Sequence, residues 1–243
     1  MKITQIISSM EPSGASKVAK SIEISLKHNN ELNYITDSNK KNFLNDNEKY
    51  FEIEYPKKKS NFFSGFFNKI TYILKLKKLK KTLDSDCYIS HNEPNGIFNL
   101  ISKNSVIHIV IVHTNLAYII DQNRFLKKII IKSLYRFYFS KADYVITVSE
   151  GVRKKLVNYL KLDRNKVKTI YNGFDFYRLN YLSLASIRYL DYFNKHKTIT
   201  YCGRLIEDKG IFEIIDIFKT VNEITSEIKL VIIGKGRLKS KLI

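Results

Sequence analysis

The chain has 243 residues and 44% hydrophobic content, enough to bury a real core in one or two domains, and its 42 Lys and Arg against 23 Asp and Glu leave a net charge of +19. Two cysteines exclude a disulfide framework, so Cys87 and Cys202 read as reduced core thiols. No apolar run reaches bilayer-spanning length, and the stretch 1–11 is too polar at Gln5, Ser8 and Ser9 for a secretory signal. The charge is uneven: segments 57–83, 124–141 and 153–168 hold nine, six and seven basic residues against the single acid Asp163. Such a field implies an anionic partner, whether membrane surface, nucleic acid or phosphorylated substrate.

In chain order, Ile3 to Ile7 predicts a strand, and Glu11-Pro12-Ser13-Gly14 a turn into a helix through Val18, Ile22 and Leu26. Glu31 to Thr36 is a second strand, 37–49 a polar loop, and Tyr50 to Tyr55 a further strand. Tyr72, Leu76, Leu79 and Leu83 form one helical stripe, with the lysines at 75, 77, 78, 80 and 81 mostly turned to solvent. Before it, Phe62, Phe63, Phe66 and Phe67 cluster around Gly65, just after Lys57, Lys58 and Lys59. Aromatics beside a basic run suit an interfacial membrane anchor. Nucleic acid would use the same residue types through base stacking, but four Phe favour the membrane.

Strands at Asp86 to Ser90 and Val106 to Val112 end at His91 and His113. Both histidines fall at strand carboxyl ends, where an open α/β sheet places its site. His108 is an odd number of residues from His113, hence on the opposite face, and reads as packing. A basic helix through Phe125, Ile129, Leu134, Phe137 and Tyr138 precedes a strand at Tyr144 to Val148, after which Ser149 caps a helix with Glu150 in its first turn. Asn172-Gly173 reads as a turn. From Ile199 a strand, a basic turn, a helix through Ile211, Ile214, Ile215 and Phe218, and a strand from Leu230 to Ile233 make a βαβ unit. Arg204 and Lys209 flank its first turn and Gly210 opens its helix, an arrangement that suits a diphosphate. No Asp-x-Asp manganese site, Cys-x-x-Cys pair or His-Glu-x-x-His helix is expected, and no metal site is assigned.

The run ADYVITVSEGVRKKLVNYLKLDRNKVKTIYNGFD, followed by CGRLIEDKG and VIIGKG, resembles the retaining nucleotide-sugar glycosyltransferases of family 4. The likeness rests on Ser149-Glu150, Tyr171-Asn172-Gly173, Gly203-Arg204-Leu205 with Lys209-Gly210, and Gly234-x-Gly236, in the family's order. It implies a GT-B-like α/β fold: a Rossmann-like acceptor domain over 1–175, a linker over 176–196, and part of a nucleotide-sugar domain over 197–243. It also implies transfer of a sugar from a nucleoside diphosphate to a lipid-linked or saccharide acceptor, in cell-envelope polysaccharide synthesis, without metal or cofactor and without nucleic acid. Arg204 and Lys209, with Gly203, would hold the diphosphate, and Gly14 would border the donor, with Ser13 where a second glycine is usual. His113 would be the catalytic contact to the transferred sugar, and His91 would lie nearer the acceptor. The expected location is cytoplasmic, peripheral at the inner face of the cell membrane. The family's donor domain carries a pair of glutamates for sugar and ribose, and the chain ends at Ile243 before them. The expectation is therefore a truncated chain without activity, one half of a split enzyme completed by a second polypeptide, or a non-catalytic basic peripheral membrane protein.

Overall fold

The computed structural model describes residues 1–11, 13–36, 49–54, 62–186, 189–225 and 227–242, in two compact units, 1–174 and 175–243. Of the predicted loop at 37–49, residues 37–48 lie outside the described residues, as do the lysines at 57–59, and Lys49 belongs to a strand. The first unit runs β1 (Lys2–Ile6), α1 (Gly14–Leu26), β2 (Glu31–Thr36), β3 (Lys49–Glu52), α2 (Phe62–Leu83), β4 (Cys87–His91), α3 (Glu93–Ile101), β5 (Ile107–Val112), α4 (Leu116–Asp121), α5 (Phe125–Ser140), β6 (Tyr144–Thr147), α6 (Glu150–Leu160) and β7 (Val167–Thr169). Its seven strands form one parallel sheet in the order β3-β2-β1-β4-β5-β6-β7. The order reverses between β1 and β4, the place where a doubly wound sheet opens a crevice at its carboxyl edge.

Alternation along the strands sorts the core into two layers. Ile6, Ile35 and Tyr88 face α2 through Tyr72, Leu76 and Leu83, while Val110, Val112 and Val145 face α3, α5 and α6. On the other side, Ile3, Cys87, Ile89 and Ile111 pack with Ile22 of α1. The sequence gives no periodic signal for α3, because Glu93, Asn95, Ile97, Phe98, Asn99 and Leu100 are buried all around it. Pro94 in its first turn is the start signal that the strand-by-strand reading passed over. A Cβ on Gly96 would stand 2.7 Å from Val110 Cγ1, so this glycine lets α3 settle onto β5.

Lys80 departs from the expected solvent-facing row. It is 2% exposed, and its Nζ donates to the Asn99 carbonyl at 2.9 Å, Asn99 Oδ1 at 2.6 Å and the Ser102 carbonyl at 3.4 Å. The Lys80 Nζ thereby meets the orphan carbonyls at the end of α3 and lies over the Tyr88 ring. Burial pushes its amine down to about 6. Of the two thiols, Cys87 is buried, and burial pushes it up to about 11. Cys202 is exposed rather than a core thiol, because its neighbour Tyr201 takes the inward side of the pleat.

The second unit holds α7 (Phe176–Ser183), α8 (Leu190–Lys195), β8 (Lys197–Cys202), a 3-10 turn at Glu207–Lys209, α9 (Ile211–Ile224), β9 (Ile228–Ile233) and α10 (Lys239–Leu242). Strands β8 and β9 pair in parallel from Lys197↔Ile228 to Cys202↔Ile233, and Leu205, Ile211 and Leu238 form a small core.

Gly96→Ala should destabilise the first unit by roughly 1–3 kcal/mol, since Val110 is β-branched and itself buried. A urea titration that left the midpoint unchanged would show that α3 can lift from the sheet freely.

Candidate functional site

At the carboxyl edge of the first unit, His91 ends β4 and His113 follows β5. His91 is fully buried. Its Nε2 lies 2.8 Å from Gln5 Oε1, its Nδ1 lies 3.3 Å from His113 Nε2, and Gln5 Nε2 donates to the Ala19 carbonyl at 3.0 Å. The ring planes differ by 18° with centroids 5.5 Å apart, farther than the nitrogens, so the rings meet edge to edge as hydrogen-bond partners. Burial pushes His91 down to about 3, with His113 adding to it, and burial pushes His113 down to about 4. Both are neutral at physiological pH.

His91, expected nearer the acceptor, is buried, with both of its ring nitrogens engaged and no exposed surface on its side chain. His113 is half-buried, and its Nδ1 has no hydrogen-bond partner among the described residues. Beside it, Thr114 Oγ1 donates to the buried carboxylate of Glu93 at 2.6 Å, and Asn95 Nδ2 donates to the His91 carbonyl at 2.8 Å. Gln5 and Glu93 escaped the sequence reading. The available signal was a polar residue among Ile3, Ile6 and Ile7 of an otherwise buried strand. His108 sits on the opposite face with Nδ1 at 2.9 Å from Asn99 Oδ1 and Nε2 at 2.7 Å from Asn104 Oδ1, in the Lys80 network. Gly14 opens α1 behind the Ser13–Ser16 capping box, and a Cβ there would meet nothing within 4 Å.

Asp84-Ser85-Asp86 has Asp-x-Asp spacing that the sequence reading passed over. It lies at the amino end of β4, the edge opposite the histidines, where Asp86 Oδ2 accepts from the Lys2 backbone N–H at 2.8 Å. A groove of about 400 Å³ between α1 and β4–β6, bounded by Ile22, Ile89, Ile111 and Ile146, is almost wholly apolar and holds none of these polar groups.

In the second unit two turns are zipped together by their backbones. Gly203 N–H donates to the Ile233 carbonyl at 3.0 Å, Leu205 N–H to Lys235 at 2.9 Å, and Leu238 N–H back to Leu205 at 3.1 Å. A Cβ on Gly234 would fall on the Gly203 carbonyl and one on Gly236 on the Leu205 backbone, so no other residue fits either place. Tyr201 Oη donates to the carbonyls of both Arg204, at 3.0 Å, and Lys209, at 3.3 Å. One hydroxyl thus fixes the backbone of both cationic residues. Gly210, at φ 66°, ends the 3-10 turn and starts α9 with no side-chain cap, which leaves the first N–H groups of α9 without a capping acceptor. The Arg204 and Lys209 side chains are exposed and make no ion pair among the described residues, whereas Arg237 is tied to Glu207 at 2.9 Å.

The expected membrane residues divide. Phe62 and Phe63 fall in α2, but their side chains lie outside the described residues. Phe66 and Phe67 are exposed, as are Ile70 and Leu74 one and two turns on. Helix α5 presents a second such face that the sequence did not reveal: Phe125, Leu126, Ile129, Ile130, Leu134 and Phe137 are exposed between Arg124, Lys127, Lys132 and Arg136. Ile131, Tyr135, Tyr138 and Phe139 are the residues that face the core. No described helix is long and apolar enough to cross a membrane.

The pattern that defines Glycosyltransferase Family 4 matches residues 27–178, more than half of the chain. An uncharacterized glycosyltransferase of Methanocaldococcus jannaschii is 33% identical over 117 residues, covering 47% of this chain and 29% of that protein. The N-acetylgalactosamine-N,N'-diacetylbacillosaminyl-diphospho-undecaprenol 4-alpha-N-acetylgalactosaminyltransferase of Campylobacter jejuni is 28% identical over 181 residues, covering 73% of this chain and 47% of that one. The chain thus spans less than half of either relative. Among solved structures, Anabaena HepE in complex with UDP superposes with a TM-score of 0.73 at 15% identity, over 99% of this chain and 63% of that one. The lipopolysaccharide outer core galactosyltransferase WaaB gives 0.65 at 18%, with the same coverage. These likenesses confirm the expected GT-B-like α/β fold.

Because His91 is held neutral in the fold and takes up a proton near 6.5 when unfolded, stability is full above that pH and declines below it. Between pH 6.5 and 5, above the carboxylate range, it should cost up to about 2 kcal/mol. Urea midpoints across that window should fall in the parent and fall less in His91→Asn; parallel curves would place the titration elsewhere.

Proposed function

The chain belongs to glycosyltransferase family 4, and from that premise we propose that the whole protein transfers a sugar from a nucleoside diphosphate to a lipid-linked or saccharide acceptor in cell-envelope polysaccharide synthesis. The observation that carries this reading is the turn after β8, where Arg204 and Lys209 stand exposed and unpaired on a backbone pinned by Tyr201, beside the uncapped start of α9. As the bond from the anomeric carbon to the diphosphate oxygen breaks, its electron pair stays on that oxygen. A guanidinium, an ammonium and helix N–H groups meet the developing charge without reorganising. His113 Nδ1, at the carboxyl edge of the first unit, contacts a hydroxyl of the transferred sugar, and Gly14 borders the donor. The UDP complex of HepE supports a nucleotide donor.

The protein works at the inner face of the cell membrane. Support comes from the exposed apolar residues of α2 and α5, each set among lysines and arginines, and from the undecaprenol-linked substrate in the name of the Campylobacter relative. Apolar side chains enter the interface while the cations meet anionic headgroups, at about 1 kcal/mol for each Lys or Arg near the surface.

Arg204→Ala and Lys209→Ala should each weaken UDP binding by roughly 1.5–3 kcal/mol, the range for a hydrogen bond to a charged group. Calorimetry that found unchanged affinity in both variants would place the nucleotide elsewhere.

Sedimentation with anionic vesicles should show binding that weakens with salt but persists, since screening removes only the Coulombic part. Phe125→Ser with Ile130→Ser on α5, and Phe66→Ser with Phe67→Ser on α2, should each release protein at moderate salt. Undiminished binding in both pairs, or displacement of vesicles by single-stranded DNA, would replace the membrane with another partner.

A further inference from the structure

The polarity of one hydrogen-bond chain in the first unit is set by a group that cannot reverse. The Ala19 carbonyl only accepts, so Gln5 turns its Nε2 to it, at 3.0 Å, and its Oε1 to His91, at 2.8 Å. An amide oxygen opposite His91 Nε2 requires that nitrogen to carry hydrogen. A neutral imidazole has one ring proton, so His91 Nδ1 is a lone pair, and His113 Nε2, 3.3 Å away, donates to it. His113 Nδ1 is left as a bare acceptor on the half-exposed side of the ring. Turning the Gln5 amide over would set its oxygen against the Ala19 carbonyl. Protonating His91 would reverse the last link, but its complete burial opposes the charge. Gln5 and His91 also sit on hydrogen-bonded neighbouring strands, with Gln5 in register with Ile89, which leaves the chain little freedom to slip.

We propose that Gln5 and His91 are positioning residues that hold His113 in a single tautomer, so that the His113 subsite takes a hydrogen-bond donor, a hydroxyl of the transferred sugar. This rests on the contact between His113 and the sugar proposed above. A donor sugar lacking that hydroxyl would leave the lone pair unmatched and would be discriminated against, as a site built to hydrogen-bond a hydroxyl rejects the analogue without it.

Long-range nitrogen–proton NMR on the ¹⁵N-labelled full chain near neutral pH reads the tautomers directly. Both His91 and His113 should be purely Nε2–H. Gln5→Leu, which removes the acceptor opposite His91 Nε2, should let His113 populate both tautomers. An Nδ1–H signal from either ring of the parent would overturn the relay, and this readout stands even if a variant does not fold. On adding UDP-glucose, the His113 Nδ1 resonance should move while the tautomers persist. An intact relay with Nδ1 unmoved by UDP-glucose would overturn the sugar contact, and with it the assigned subsite, while leaving the relay established.

Discussion

The pairing of β1 with β4, from Ile3↔Cys87 to Ile6↔Ser90, is the constraint on which the first unit depends. Here the strand order reverses, and the crossover that leaves β1 and the one that enters β4 lie on opposite faces of the sheet: Ile22 of α1 packs on the side of Ile3 and Cys87, and Leu76 of α2 on the side of Ile6 and Tyr88. Because the pleat alternates strictly, Gln5, His91 and His113 all fall on the α1 side, and His108 falls on the other. A one-residue slip of β4 against β1 would send His91 to the far face and dissolve the relay.

Polar groups are buried in this unit at a cost in desolvation, and the fold meets that cost by giving them partners. Lys80 closes the end of α3, Asn99 joins Lys80 to His108, and Gln5 joins α1 to His91. Such linkages are directional where apolar packing is not, and they fix helix ends and ring tautomers more closely than the surrounding Leu and Ile could. In the second unit the same task falls to backbone contact. Glycines at 234 and 236 let two turns approach until their amides bond, and Tyr201 ties the cationic loop to that frame. Arg204 and Lys209 stay exposed and without an ion pair among the described residues, because the residues around them make the structural contacts.

Basic charge serves different ends along the chain. Lys103 pairs with Asp143 at 2.9 Å and Arg153 with Glu150 at 3.0 Å, both within the first unit. Arg124, Lys127 and Arg136 at α5 instead border exposed apolar side chains, while Lys128 of the same helix pairs with Asp121 at 2.7 Å and Lys80 of α2 is buried. Net charge alone could not separate these roles, since an ion-paired lysine and a lysine facing a bilayer count equally in a sum.

What the sequence determined by itself was local and periodic. The strands read at 31–36, 144–148 and 230–233, the helix read through Ile211, Ile214, Ile215 and Phe218, the Ser149 cap and the turn glycines follow from alternation, helical spacing and backbone chemistry that neighbouring residues impose on one another. The family likeness was legible for the same reason, because its motifs sit in short turns. Tertiary structure decided what depends on partners distant in sequence. It buried Lys80 in a row of exposed lysines, turned Cys202 outward, buried residues on every face of α3, and showed which residues of α5 face solvent. It also joined Gln5 to His91 across 86 positions, and so settled which nitrogen of His113 is free, since a tautomer is fixed by the group opposite each ring nitrogen and that group is chosen by strand order.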